Sequence, residues 1–61
     1  MWQATVTLTV SAHNQPSVFP MTFTVVDETM GAVCFQAQQK VDEVKRSGYS
    51  IIKREDAIEE I

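Results

Sequence analysis

One long helical pattern lies between strand-like segments, and it constrains the fold more than any other feature of the sequence. Its apolar residues fall three, four, seven, eleven and fourteen positions after the first, which places them on one side of a helix. They are Met30, Val33, Cys34, Ala37, Val41 and Val44. The pattern predicts a helix within Asp27–Gly48 that buries this side against a sheet.

The two ends of the helical segment carry terminal signals. Asp27 is predicted to be the N-cap, with Glu28 in the positive end of the helix dipole. At the other end Lys45 and Arg46 suit the last turn, and Gly48 can adopt the positive φ that commonly ends a helix. The signals therefore predict both the start and the end of the helix.

Two segments of alternating apolar and polar residues precede the helix. Trp2–Ala12 alternates without a break, and Val18–Val26 resumes the pattern after a polar loop, so together they predict an antiparallel hairpin. Pro20 lacks the amide hydrogen that an inner strand needs, which predicts that the second strand lies at an edge. The outward positions predict an open polar face formed by Thr5, Thr7, Thr9, Thr22 and Thr24.

The chain after the helix is predicted to form a short strand and then an acidic segment. Residues 49–54 suit a third strand with Tyr49 and Ile51 pointing inward. Residues 55–61 suit either a short helical turn, which we favour, or a mobile tail. That segment is acidic, and its Ile58 and Ile61 are three residues apart.

These elements predict a two-layer α+β fold. A right-handed crossover places the third strand beside the first, which gives a three-stranded antiparallel sheet in the order 2-1-3 with one helix on one face. We expect a single domain over residues 1–54 and an acidic C-terminal tail over residues 55–61. At 61 residues the chain has room for one domain of modest stability.

Composition narrows the classes of function. The net charge of -3 gives no electrostatic reason to bind nucleic acid, whose phosphates select basic surfaces. The apolar runs are far shorter than a membrane helix requires, and the N-terminus lacks the basic start of a signal peptide. We therefore expect a cytoplasmic chain that contacts neither membrane nor nucleic acid.

The inventory of reactive side chains does not predict an enzyme. The single histidine, His13, falls in the hairpin loop, whereas the single cysteine, Cys34, falls on the predicted buried side of the helix as a small packed hydrophobe. The two are not expected to meet. Neither metal-ligand spacing nor a glycine-rich phosphate loop is present in the sequence. We predict no catalytic residues, no metal and no cofactor.

The outer side of the helix holds the first candidate contact surface, formed by Phe35, Gln39, Asp42 and Arg46. An outward phenylalanine near an arginine is typical of protein interfaces. Two other interpretations remain open. The C-terminal segment could fold over Phe35 through Ile58 or Ile61, or Phe35 could be a tolerated exposed aromatic.

The second candidate surface is a reversal of charge near the C-terminus, formed by Lys53, Arg54, Glu55 and Asp56. Adjacent basic and acidic groups can set the register of a protein partner. They can equally form an ordinary solvated face. The threonine-rich sheet face and the strand edges likewise suit either contact with water or formation of a homodimer.

The layout of the chain resembles the small RNA polymerase inhibitors made by short-tailed phages of enteric bacteria. The resemblance rests on Trp2–Val6, on Val18–Met21 leading to Asp27–Thr29, and on Gly48–Tyr49 opening a last strand with Lys53–Arg54. It implies three strands and one helix that bind a host enzyme and block promoter engagement. Two arginines on the last strand contribute to binding in that family. Here Lys53 stands at the first position and Glu55 at the second.

The sequence thus predicts a small, non-enzymatic, phage-type inhibitor that acts by protein contact. The expected partner is a host protein in the host cytoplasm, either RNA polymerase or a defence enzyme. The wider class that the resemblance suggests is that of tiny phage proteins for host takeover or anti-defence. The alternative is a small homodimeric domain that binds or sequesters a small molecule or nucleotide.

Overall fold

The computed structural model describes residues 1–12 and 15–61 and contains three strands and one helix. These are β1 (Trp2–Ala12), β2 (Val18–Asp27), α1 (Met30–Arg46) and β3 (Tyr49–Glu60). The strands form an antiparallel sheet in the order β2-β1-β3. The predicted α+β fold and strand order are confirmed.

Alternation along β1 produces the core. Its apolar residues from Ala4 to Val10 point toward α1 and are buried, Trp2 and Ala12 at the two ends are half-buried, and the intervening polar residues are half-exposed on the other face. The buried core consists of Ala4, Val6, Leu8, Val10, Val25, Val33, Ala37 and Val41. Pro20 lies on β2, which is an edge strand as predicted.

The start of α1 differs from the prediction. Asp27 is the last residue of β2 and pairs with Trp2, so it cannot also cap the helix. The N-cap is Thr29, whose Oγ1 accepts a hydrogen bond from the Ala32 amide at 3.1 Å. The Asp27 carboxylate instead accepts a hydrogen bond from the Gln36 side chain. No acidic residue lies in the first turn of α1.

The end of α1 agrees with the prediction. Lys45 and Arg46 occupy the last turn. Gly48 has φ 96°, and its amide donates to the Lys45 carbonyl at 3.2 Å. Positive φ is readily available to glycine, which lets the chain leave the helix and enter β3.

The predicted buried side of α1 is partly wrong. Val33, Ala37 and Val41 are buried and Val44 is half-buried, but Met30 and Cys34 are exposed. The physical reason is the position of the helix, which packs more on β1 and β2 than on β3. Cys34 lies on the flank of α1 that turns toward β3, so it is not the packed hydrophobe that its spacing suggested.

The C-terminal segment is also different from the prediction. Residues 55–60 continue β3 opposite β1, rather than forming a helical turn or a tail. The amide of Ile61 donates to the Met1 carbonyl at 2.9 Å, which extends the pairing to the end of the sheet. Pairing with a complete central strand supplies hydrogen bonds that the acidic composition does not reveal.

A β-bulge explains the ambiguous pair of isoleucines in β3. Thr9 opposes Lys53 and Val10 opposes Ile51, so Ile52 is the extra residue. Tyr49 and Ile51 are half-buried on the helix side, as predicted. The alternation that runs back from Lys53 places Ile52 on this same side. Two successive isoleucines therefore share one face of the sheet.

Candidate protein-binding surface

The side of α1 that faces away from the sheet forms one continuous stripe. We call it the outer stripe, and it consists of Phe35, Gln39, Asp42 and Arg46. Successive members are four, three and four residues apart, so they lie above one another on a helix. All of them are exposed, and Phe35 is 65% exposed. The structure therefore brings these predicted residues together.

The C-terminal segment does not cover Phe35. The Ile61 amide is bonded to the Met1 carbonyl, which continues the pairing of β3 with β1, and Ile58 lies within β3 opposite Ala4. The interpretation in which Ile58 or Ile61 folds over Phe35 is therefore wrong. Phe35 is an exposed aromatic on a well-formed helix.

The four charged residues predicted on β3 divide between the two faces of the sheet. Arg54 and Asp56 oppose Leu8 and Val6, so they lie on the helix side. Lys53 and Glu55 oppose Thr9 and Thr7 on the threonine face, by which we mean the uncovered sheet face. The alternation of a strand separates residues that are adjacent in sequence.

On the helix side, one arginine connects β3 to α1. Nε and Nη2 of Arg54 each donate to the carboxylate of Asp56 at 2.8 Å, and Nη1 donates to Gln38 Oε1 at 2.8 Å. Gln38 Nε2 in turn donates to Asp42 Oδ1 at 3.0 Å. We call Asp56, Arg54, Gln38 and Asp42 the Arg54 network. It links two of the predicted β3 residues to the outer stripe through Asp42.

Gln38 was not predicted as a site residue. Its spacing of four from Asp42 was a local signal for their hydrogen bond. Its contact with Arg54 joins residues sixteen apart, and it depends on how far α1 is displaced from β3. The sequence contains no direct signal for that displacement.

The ion pairs shift the pKa values of their members in the expected directions. The hydrogen bond from Arg54 lowers the pKa of the Asp56 carboxyl, and the same bond raises the pKa of Arg54. These two side chains are only 34% and 29% exposed. On the threonine face Lys53 Nζ lies 2.9 Å from Glu55 Oε1, and this hydrogen bond raises the pKa of Lys53.

The threonine face has the composition that the sequence predicted. Thr5 opposes Thr24 and Thr7 opposes Thr22, with Thr22 Oγ1 donating to Thr7 Oγ1 at 3.5 Å. The β3 side of this face carries the Lys53–Glu55 pair. It is therefore a polar surface opposite the outer stripe, and the two cannot contact the same flat partner.

The remaining reactive side chains do not join either surface. Cys34 is exposed on α1, and His13 falls outside the described residues. Over residues 1–12 and 15–61 there is no cluster of metal-ligating side chains and no pocket. In the same part of the chain, no helix has the length and apolar character needed to cross a membrane.

Comparison with known proteins adds no relative. No family model, no curated protein and no solved structure matches this chain.

Proposed function

We propose that this protein is a small non-enzymatic inhibitor that binds another protein through the outer stripe and the Arg54 network. The observation that carries the proposal is the exposure of Phe35, which is the largest apolar side chain of α1. In the core-facing stripe of the same helix, Val33, Ala37 and Val41 are buried. Core packing thus explains the smaller apolar residues of α1, but it does not explain Phe35.

The energetics of Phe35 favour a contact role. Burial of a phenylalanine side chain contributes about 1.5–3 kcal/mol, and a partner that covers Phe35 would gain part of this. The backbone beneath it is already helical, so binding needs little additional ordering. Arg46 on the same stripe supplies the second residue type that is enriched at interfaces.

Arg54 adds a fixed polar group beside the stripe. A guanidinium has five N–H groups, and three of those on Arg54 donate to Asp56 and Gln38. The other two have no acceptor among the described residues. Because the guanidinium is held in place, a partner carbonyl or carboxylate that meets these N–H groups would not have to immobilise a flexible side chain.

The resemblance to phage inhibitors supports a bacterial host enzyme as the target, either RNA polymerase or a defence enzyme in the host cytoplasm. The positions at which that family has binding arginines are Lys53 and Glu55 here, and they pair with each other on the threonine face. The contact that we propose lies on the other side of the sheet.

The test is capture from bacterial lysate on the immobilised chain, with Phe35→Ala and Val18→Ala as a matched pair. Val18 is another exposed apolar residue, but it lies on the threonine face of β2. We expect wild type and Val18→Ala to retain one protein in stoichiometric amount, and Phe35→Ala to lose it. Purified RNA polymerase is tested separately for binding and for inhibition of transcription.

Two results would contradict the proposal. One is that the wild-type chain retains no stoichiometric protein at modest salt. The other is that Phe35→Ala retains the same protein as wild type while remaining folded. Retention of a protein other than RNA polymerase, with inhibition of its activity, would support the inhibitor function and reject the polymerase as its target.

A further inference from the structure

The outer edge of β3 differs from the other edge of the sheet. Among the described residues no strand pairs with it, so its outward amide and carbonyl groups remain available. The edge of β2 is interrupted by Pro20, which has no amide hydrogen. The β3 edge is therefore the more suitable one for adding another strand.

The order of charges along β3 is self-complementary for antiparallel pairing. Residues that oppose each other across an antiparallel pair lie on the same face. From the bulge toward the C-terminus, every second residue of β3 lies on the face that carries the helix. In order, these residues are Ile52, Arg54, Asp56 and Ile58. Reversing this series against itself places the arginine opposite the aspartate and one isoleucine opposite the other.

We propose that two copies of this chain associate by antiparallel pairing of their β3 edges about a two-fold axis at Glu55. In this register Arg54 of each copy opposes Asp56 of the second copy. Ile52, which is 60% exposed, likewise opposes Ile58, which is 41% exposed. The association forms backbone hydrogen bonds, two ion pairs and two apolar pairs in one register.

The neighbouring registers are less favourable. An axis at Arg54 brings the two arginines together and places Ile52 against Asp56. An axis at Asp56 brings the two aspartates together and places Arg54 against Ile58. Like charges in direct opposition destabilise a sheet, whereas opposite charges stabilise it. Only the axis at Glu55 satisfies both the charged and the apolar residues of the helix face.

The same register is tolerated on the threonine face. It places Glu55 of one copy opposite Glu55 of the other, but each is already paired with Lys53 at 2.9 Å. Each Lys53 also lies diagonal to the opposing glutamate, within reach of a long side chain. The charge at the axis is thus compensated from both copies.

The dimer would have both helices on one side of a six-stranded sheet, because the pairing preserves faces. The two outer stripes would remain exposed and point the same way. Each Arg54 would use its two remaining N–H groups for Asp56 of the second copy, so in the dimer another protein would meet the outer stripe alone. The inference therefore goes beyond the proposed inhibitor function and does not depend on it. Failure to capture a target would leave this association unaffected.

Disulfide cross-linking tests the register. Cys34 is exposed and is first replaced, giving a Cys34→Ser background. In that background Glu55→Cys places the two thiols opposite each other at the axis, within disulfide range. Ala57→Cys is the matched control on the same face, because a shift of four residues separates its two thiols by roughly 13 Å. We expect mild oxidation to cross-link Glu55→Cys at least tenfold faster than Ala57→Cys.

Sedimentation and charge exchange test the association itself. Arg54→Asp and Asp56→Arg should each remain monomeric where wild type dimerises, and an equimolar mixture should form a heterodimer because all opposing charges are again complementary. Circular dichroism checks that each variant is folded. The proposal is overturned if the wild type stays monomeric up to about 1 mM. Equal cross-linking of the two cysteine variants, or a mixture that stays monomeric, would also overturn it.

Discussion

The two long sides of α1 differ in the size of the side chains that they carry. The buried side has Val33, Ala37 and Val41, which let the helix approach the sheet closely. The outer stripe has Phe35, which is larger than any of these and remains exposed. Folding of this domain therefore buries the smaller apolar residues of the helix and leaves its largest one, Phe35, exposed.

The largest expected effect lies beneath the buried side. Leu8 is completely buried at the centre of β1, so Leu8→Ala should lower the free energy of unfolding by about 2–5 kcal/mol. Urea denaturation measures the change, with Val18→Ala as a control at an exposed apolar position. A similar loss in free energy of unfolding for both variants would contradict the placement of Leu8 in the core and of Val18 at the surface.

The two sides of α1 can be compared with one type of substitution. Ala37→Leu adds a large side chain where the helix meets the sheet, and it should cost about 1–3 kcal/mol by overpacking. Gln39→Leu adds the same side chain on the outer stripe, where a change within about 0.5 kcal/mol is expected. Equal destabilisation measured by urea denaturation would contradict the assignment of the two sides.

The position of the N-cap determines where the helical stripe begins. Thr29→Ala removes the acceptor of the Ala32 amide hydrogen bond and should lower the free energy of unfolding by about 1 kcal/mol. Thr29→Ser keeps the hydroxyl and should retain most of the stability. If thermal or urea unfolding shows no difference between the two variants, Thr29 is not the cap.

The smallest effect is expected in the Arg54 network, which lies between β3 and the neighbouring flank of α1. Asp56→Asn keeps the shape of the side chain but loses its charged bond to Arg54, at a cost of roughly 0.2–1 kcal/mol near pH 7. Since Arg54 lowers the pKa of Asp56 in the folded chain, the ionised form contributes stability above the usual aspartate pKa of about 3.9. This contribution is lost as pH falls through the lower folded pKa.

The difference between wild type and Asp56→Asn should therefore shrink toward zero as pH falls through the lowered folded pKa of Asp56. Paired urea denaturation curves at several pH values measure it. A difference that stays constant with pH would mean that the loss comes from packing or local geometry, rather than from the charged pair.

Much of the fold could be predicted because β1 alternates along its whole length, which determines its buried face. Its central position followed from the right-handed crossover that places β3 beside it. Pro20 indicated the edge strand, and Gly48 marked the end of the helix. The start of the helix could not be predicted as reliably. Asp27 and Thr29 are both good N-cap residues, and only the pairing of Asp27 in the sheet decides between them.

Part of the candidate surface could also be predicted from local geometry. The period of the helix depends only on local geometry, and it was enough to place Phe35 on the outer side. The separation of Lys53 and Glu55 from Arg54 and Asp56 required the strand to continue past residue 54. The exposure of Cys34 and the link from Arg54 to Gln38 depend on the lateral position of α1, a tertiary property that no short pattern encodes.

Stability and binding measured on the same samples of Phe35→Ala test most directly whether Phe35 serves a partner. The free energy of unfolding should stay within about 0.5 kcal/mol of wild type, because the side chain is 65% exposed. The variant should also lose the protein that the wild-type chain retains from bacterial lysate. Retained binding together with lost stability would show instead that Phe35 serves the fold.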